Sequence, residues 1–311
     1  MLDQTPLSSP HKSTTVRFKS SPITSPAELA LAGARPLLRG LSRLAPQTAS
    51  QVARRMFLRP MKYRMPDREM WWATDADMFT VPFPSGKLTA WRWGWGGPKV
   101  LLVHGWAGRG LQLGAFAQPL VEAGYEVVAF DAPGHGMSYG EESSLPEMAE
   151  AVATMVRHLG GVHAVIAHSA GAAATTGILG GWGVAPDIER LVYIASPVDM
   201  VGATERFGRF VGFTRPVMQR MRHTIGQRFG IDFEMFQGLD IARRMDHPLL
   251  IVHDHNDREI AFSEGEALAN AWSGAQIRST EGLGHYRILR DPRVIRWAVD
   301  FLGPVGKGRD A

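Results

Sequence analysis

Residues 164–174 read AVIAHSAGAAA, and this stretch decides the fold. The residues before His168 form an apolar run typical of a buried parallel strand, and the small residues after Ser169 suit a helix that packs closely on that strand. The sharp turn between them leaves Ser169 at the carboxyl end of the strand, where the amino end of the next helix favours negative charge. The pattern indicates a nucleophilic serine; the alternative interpretation is a serine that only caps the helix.

Strands and helices alternate on both sides of this turn. Apolar runs predict strands at residues 79–83, 88–93, 100–103, 127–130, 163–167, 191–195, 249–252 and 275–279. Helical patterns occupy residues 111–123, 146–159, 170–179, 263–272 and 292–302. Repeated strand–helix units predict an α/β fold with a mainly parallel, doubly wound sheet and helices on both faces.

Four further motifs follow predicted strands. They read HGWAG at 104–108, DAPGHGMS at 131–138, HDHND at 253–257 and GLGHY at 282–286. Their glycines and proline are typical of tight turns. Because the carboxyl ends of parallel strands meet at one edge of a sheet, we expect these loops to lie near Ser169.

In this order the motifs resemble those of the α/β-hydrolase superfamily, and the resemblance spans roughly residues 77–303. The turn resembles the G-x-S-x-G nucleophile elbow, with Ala167 in the place of the first glycine. The resemblance implies that Ser169 is the nucleophile, His285 the base and Asp257 the acid that orients the base.

The resemblance also implies an oxyanion hole made by two backbone N–H groups, those of Trp106 and Ala170. The expected reaction is cleavage of an acyl ester-type bond through an acyl-enzyme, with a small acyl compound as substrate and no cofactor. A thioesterase, an acyltransferase or a C–C hydrolase on the same three residues remains an alternative. So does a binding protein that kept the fold without catalysis.

The loop after residue 252 holds two candidate carboxylates, Asp254 and Asp257. Spacing favours Asp257, because the loop must reach forward over the edge of the sheet. With His253 and His255, the two carboxylates also match the residue types of a metal site. We favour the interpretation without a metal, since no distant third ligand motif accompanies the cluster.

A long segment, residues 198–245, interrupts the alternation where the superfamily commonly inserts a cap. We expect a mobile helical lid over Ser169, whose adaptable apolar side chains contact substrate. The candidates for this contact are Phe207, Phe210, Phe213 and Met218. The alternative is that these helices only bury their apolar faces against the body and leave their arginines in water.

Charge divides the chain unevenly. Residues 1–68 hold 12 of the 34 Lys and Arg but only 3 of the 30 Asp and Glu. Residues 1–24 are predicted to be a disordered tail. Residues 25–70 are predicted to be a basic amphipathic helical arm, capped at Ser25 and interrupted at Pro36. Residues 1–60 are predicted to be separable from catalysis. The arm either lies on a membrane surface or docks its leucines on the body, residues 71–197 and 246–304.

Composition excludes several classes of protein. The chain has no cysteine, which removes disulfides, thiolate metal sites and a cysteine nucleophile. No apolar run is long enough to span a bilayer. We expect a cytoplasmic protein that contacts membranes peripherally if at all, and no nucleic-acid partner. The oligomeric state is left open.

Overall fold

The structure, a computed structural model, describes residues 26–230 and 238–305, and only the backbone of residues 26–32. The predicted disordered tail and the predicted cap at Ser25 lie outside the described residues. Within them, eight strands form one sheet in the order β1-β2-β4-β3-β5-β6-β7-β8. The strands are β1 Asp77–Phe83, β2 Gly86–Trp93, β3 Lys99–Val103, β4 Glu126–Phe130, β5 Val162–His168, β6 Ile188–Ile194, β7 Leu249–Asp254 and β8 Gln276–Thr280.

The first two strands run antiparallel to their neighbours, and the other six pair in parallel. Twelve α-helices are described. They are α1 Pro26–Leu44, α2 Pro46–Leu58, α3 Asp67–Ala73, α4 Ala117–Glu122, α5 Leu145–Leu159, α6 Ala170–Leu179, α7 Met200–Val211, α8 Arg215–Phe229, α9 Gly238–Ala242, α10 Phe262–Ala271, α11 Gly284–Arg287 and α12 Pro292–Leu302. The predicted α/β class and the mainly parallel sheet are confirmed.

Helices cover both faces of the sheet. Alternate residues of β3 enter different cores: Leu101 and Val103 pack with residues of α5 and α6, whereas Val100 and Leu102 pack with residues of α4 and α12. This alternation follows from the two-residue period of a strand. Because both faces are buried, the loops at the strand ends are the part of the sheet that remains available for chemistry.

The helix predicted at residues 111–123 forms as two shorter pieces. A 3-10 helix runs from Gly110 to Phe116, and α4 follows it. A Cβ at Gly114 would come within 2.8 Å of the Trp72 ring, and one at Gly110 would come within 2.8 Å of the Phe130 carbonyl oxygen. Neither position therefore has room for a Cβ where this piece packs on its neighbours.

The arm and the long insertion share a hydrophobic core. Helices α1 and α2 pack against α7 and α8, which lie between β6 and β7 in the chain. We call the shared core the arm–insertion cluster. Its buried members are Ala49, Ala53, Leu58, Val211, Phe213, Val217, Met218, Met221 and Ile225, with Leu38, Leu41, Val52, Phe57, Phe207 and Phe229 half-buried around them. The inner face of the arm therefore docks on the insertion, residues 198–245, and not on the body as the docking alternative had it.

The prediction that Pro36 interrupts the first helix is wrong, because α1 continues through it. Pro36 is exposed, while Leu38 and Leu41 pack on the arm–insertion cluster. Tertiary packing of this inner face offsets the backbone hydrogen bond that the proline removes.

The outer face of α1 carries exposed apolar side chains. Leu37 is 76% exposed and Leu44 is 89% exposed, and Arg35, Arg39 and Arg43 are exposed on the same helix. None of the described helices is long and apolar enough to cross a membrane. Contact of this face with an anionic membrane surface stays a prediction, which co-sedimentation with anionic vesicles tests.

The third helix belongs to the sheet-bearing body rather than to the arm. The Trp93 indole N–H donates to the Trp72 carbonyl oxygen at 2.9 Å. Glu69 and Arg109 form a hydrogen-bonded ion pair, and both side chains are buried. The arm boundary predicted at residue 70 therefore falls inside α3, and the helical arm proper ends at Leu58.

Candidate active site

Ser169 lies at the turn between β5 and α6. Its φ of 51° and ψ of −121° are a conformation that side-chain-bearing residues rarely adopt. A Cβ at Gly171 would come within 2.5 Å of the His104 carbonyl oxygen, so helix and loop approach too closely for any larger residue. The small residues of the elbow are therefore required by packing. Ser169 itself is half-buried.

Backbone strain concentrates at this edge of the sheet. Among the described residues, three other than glycine have positive φ: Ala107, Ser169 and Ala195, at 55°, 51° and 53°. They follow β3, β5 and β6, which are adjacent in the sheet. Strained backbone that clusters in this way is typical of a functional site, where the surrounding structure holds it in place.

Asp257 and His285 are joined directly. The imidazole Nδ1 of His285 lies 2.7 Å from Asp257 Oδ2, and the other carboxylate oxygen accepts the backbone N–H groups of Glu259 and Ile260 at 2.8 and 3.0 Å. Burial acts to raise the pKa of Asp257, but the hydrogen bonds from His285 and the backbone outweigh it and lower that pKa. A charged Asp257 holds the Nδ1–H tautomer and leaves Nε2 of His285 to accept a proton.

His285 also lies against the turn that carries Ser169. The rings of His168 and His285 are 4.6 Å apart between centroids, and the His168 imidazole Nε2–H donates to the His285 carbonyl oxygen at 3.0 Å. Among the described residues, no hydrogen bond joins the Ser169 hydroxyl to His285. The Glu259 carboxylate Oε2 lies 3.7 Å from Nε2 of His285.

Asp254, the other candidate carboxylate, forms structural hydrogen bonds. It is fully buried, and it accepts the Thr280 hydroxyl at 2.7 Å and the backbone N–H groups of Asn256 and Leu283 at 2.9 Å each. These bonds tie the loop after β7 to the loop that carries His285. Asp254 therefore holds the two loops together, and Asp257 contacts the imidazole.

Trp106 and Ala170 flank the serine from two loops. Ala170 is the first residue of α6, so its N–H has no partner within the helix. A Cβ at Gly105, next to Trp106, would come within 2.9 Å of the Ser169 Cβ. That these two N–H groups form an oxyanion hole stays a prediction.

Two buried histidines brace the loop of Trp106. His104 accepts the Ala132 backbone N–H at 2.9 Å, and His135 accepts the Ala107 backbone N–H at 3.1 Å. Burial lowers the pKa of His104 to about 3 and that of His135 to about 4. Both rings are therefore neutral acceptors at neutral pH, as these bonds require.

The metal interpretation finds no geometric support among the described residues, where no three His, Asp or Glu side chains converge as ligands. Nε2 of His253 donates instead to the Ile260 carbonyl oxygen at 3.1 Å. The His255 ring lies 3.9 Å from the Phe262 ring, between centroids.

The four predicted substrate-contacting residues lie in different surroundings. Phe213 and Met218 are buried in the arm–insertion cluster, at 6% and 1% exposure. Phe210 is exposed, and the Arg35 guanidinium lies over its ring at 5.4 Å. Phe207 is half-buried, and its ring meets Phe57 edge-on at 5.2 Å. Phe57 in turn stacks on Trp106.

Sequence reasoning missed two residues beside the site. Phe57, at the end of α2, stacks on Trp106 with ring centroids 6.0 Å apart. Glu259 lies near Nε2 of His285 and accepts the Tyr286 hydroxyl at 3.1 Å. Neither residue stands in a motif. The signal for Phe57 was its position on the apolar face of an amphipathic helix, which shows burial but not the partner.

With this geometry in place, comparison with known proteins assigns the family. The family model described as "Alpha/beta hydrolase family" matches residues 100–297. The chain therefore belongs to the alpha/beta hydrolase family, which confirms the predicted resemblance and supports a hydrolase activity. No curated protein sequence matches this chain significantly.

Solved structures show the same fold at low sequence identity. A putative lipase from Acinetobacter baumannii is 18% identical, with a TM-score of 0.57 over 78% of this chain and 97% of that chain. The thioesterase domain from the curacin biosynthetic pathway is 18% identical, with a TM-score of 0.55 over 73% of this chain and 98% of that chain. A membrane phospholipase A, described as a bacterial virulence factor, is 18% identical, with a TM-score of 0.57 over 90% of this chain and 98% of that chain.

Proposed function

We propose that this chain is a serine hydrolase that cleaves acyl ester-type bonds, with Ser169 as nucleophile, His285 as base and Asp257 as the residue that orients the base. The observation that carries the proposal is the 2.7 Å contact of Asp257 with Nδ1 of His285. That contact lies beside the strained turn of Ser169, at the edge of the sheet where ligands bind in folds of this kind.

Each residue has a defined step in the proposed reaction. Nε2 of His285 takes the hydroxyl proton as Ser169 Oγ attacks the carbonyl carbon, and Asp257 stabilises the imidazolium. The N–H groups of Trp106 and Ala170 donate to the oxyanion, and one such donor contributes roughly 10²–10³-fold to kcat in comparable sites. His285 then returns the proton to the leaving alcohol, and water repeats the sequence to release the acid from the acyl-enzyme.

The helical insertion, residues 198–245, is proposed to be the lid of this site. Its support is the contact of Phe207 with Phe57, which stacks on Trp106. Two further contacts fix the start of the insertion to the body: the backbone N–H groups of Val198 and Asp199 donate to the Glu264 carboxylate at 2.9 and 3.1 Å. A lid hinged at this point reaches the edge of the site through aromatic side chains.

An ester is the proposed bond, and neighbours of similar fold are described as esterases, lipases and a thioesterase. The same three side chains serve a thioester, so the substrate panel contains both. We expect the purified chain to react with a fluorophosphonate probe and to hydrolyse p-nitrophenyl esters. Ser169→Ala should lose the label and at least ~10⁴-fold in kcat, because no nucleophile remains.

The matched control is Ser196→Ala, which removes a buried serine located just beyond β6 at the same edge. It should keep both label and turnover. Near-normal turnover by Ser169→Ala would refute the proposal. A wild-type chain that folds but neither labels nor cleaves any ester or thioester would identify a binding protein instead.

A further inference from the structure

The end of the arm lies at the candidate active site, although the arm is outside the segment that matches the family model. The half-buried ring of Phe57 stacks on the Trp106 indole at an interplanar angle of 19°. The same ring meets Phe207 of the insertion at 67°. Three segments far apart in sequence therefore bring three aromatic rings together, each with part of its surface exposed.

This position is fixed from two sides. Leu58, next to Phe57, is buried, and its carbonyl oxygen accepts the Ser143 backbone N–H at 2.7 Å, which ties the end of α2 to the loop before α5. On the other side, Ala49 and Ala53 are fully buried against α8. Their small side chains let α2 approach closely, so Phe57 is held by both the body and the insertion.

The chain beyond α2 continues along the same loop. Residues 60–63 and 65 form one wall of a cavity of about 140 Å³, whose other walls are residues 107–109 and 135–137. Ala107 directly follows Trp106, so the segment leaving the arm encloses space beside the candidate oxyanion loop. The arm and its connection thus contribute apolar surface at two places along this loop.

We propose that Phe57 determines acyl-chain selectivity, as part of an apolar wall that the arm adds to the site with Trp106 and Phe207. The inference rests on the proposed function and names the substrate class, medium-length apolar acyl groups. An acyl chain bound to Ser169 leaves the carbonyl held by Trp106 N–H and passes the exposed faces of these rings. Each methylene that they bury improves binding until the wall ends.

The test compares kcat/KM for p-nitrophenyl octanoate and acetate in the full chain and in Phe57→Ala. We expect the octanoate-to-acetate ratio to fall about ten-fold, equivalent to ~1.4 kcal/mol, while acetate turnover and fluorophosphonate labelling remain. Acetate has no methylene groups to bury against the rings, so it reports on the integrity of the chemistry.

Phe229→Ala is the matched control, because Phe229 is half-buried in the arm–insertion cluster and has no ring contact with Trp106 among the described residues. It should lower the melting temperature and leave the ratio within about two-fold of the wild-type value, below 0.5 kcal/mol. If Phe57→Ala melts below the assay temperature, Phe57→Leu carries the test, since leucine retains apolar packing without a flat ring.

An unchanged ratio in a folded Phe57 variant would overturn the inference. So would an equal fall in Phe57→Ala and Phe229→Ala, which would reduce Phe57 to a packing residue. In both cases Ser169 is still labelled, so the proposed function would not be contradicted. Absence of labelling in the wild-type chain would remove the proposed function, and this inference with it.

Discussion

The edge of the sheet and the arm–insertion cluster are built by opposite means. At the edge, each candidate residue follows its own strand within a few positions, and backbone N–H groups hold the carboxylates of Asp254 and Asp257. In the cluster, helices about 170 residues apart in the chain meet mainly through apolar side chains, such as Ala53 and Met221. Local backbone geometry therefore positions the candidate catalytic residues, whereas packing between distant segments positions the helices around them.

The two carboxylates after β7 give the sharpest test of the edge. Asp257→Asn should lower kcat by ~10⁴-fold, because an amide no longer enforces the imidazole tautomer. Asp254→Asn should keep most of kcat but lose stability, since Asp254 joins the two loops through its bonds from Thr280 and Leu283. An unsatisfied buried group of this kind costs ~1–3 kcal/mol. Steady-state kinetics and urea unfolding separate the effects, and the reverse ranking in kcat would disprove the assignment.

The cluster is tested by truncating one of its central residues. Met221 is fully buried, so Met221→Ala should cost ~2–5 kcal/mol in the free energy of unfolding. The control Met56→Ala removes the same side chain from an exposed position on α2, at 38% exposure, and should cost under ~0.5 kcal/mol. Equal, small losses in urea unfolding would show that arm and insertion do not depend on this core.

The same comparison bears on the expected separability of the arm. Deleting it removes Ala49, Ala53 and Leu58 from the cluster and leaves Val217 and Met221 without cover. We therefore expect deletion of the arm to lower stability, and the separability of residues 1–60 from catalysis stays a prediction. Point substitutions, rather than a truncated chain, are the suitable probe of its role.

Buried histidines at the edge should make stability depend on pH. Burial lowers the pKa of His104 and His135 to about 3 and 4, and that of His168 well below its usual value. In the unfolded chain these histidines take up protons near pH 6.5, whereas in the folded chain they do not. Their contribution to the free energy of unfolding is therefore complete above pH 6.5 and is lost as pH drops toward 4. Each histidine contributes at most ~1.4 kcal/mol per pH unit in that window.

Urea unfolding between pH 7 and pH 5 measures this slope. His135→Gln should flatten it by one histidine's share, since an amide can still accept from Ala107 and donate to the Pro133 carbonyl oxygen. His223→Gln, on the exposed face of α8, is the control and should leave the slope unchanged. An unaltered slope in His135→Gln would show that folding does not lower the pKa of this ring.

The sequence determined the fold and the candidate site where the signal is local. The eight strands, the elbow at Ser169 and the loops of Asp257 and His285 were readable because small residues and glycines punctuate each strand end. Parallel strands then bring those ends to one edge without further information. Even the choice of Asp257 over Asp254 followed from loop length, and the structure places Asp257 on the imidazole.

Only the tertiary structure decided what Phe57 and Phe207 contact and where Phe213 and Met218 are buried. An amphipathic pattern predicts that one face of a helix is buried, but it does not predict which apolar surface buries it. The partner is chosen by shape and by close approach, as at Ala49 and Ala53, and such choices depend on residues far away in the chain. For the same reason Pro36 did not end α1: local backbone preference is weak compared with the burial of a helix face.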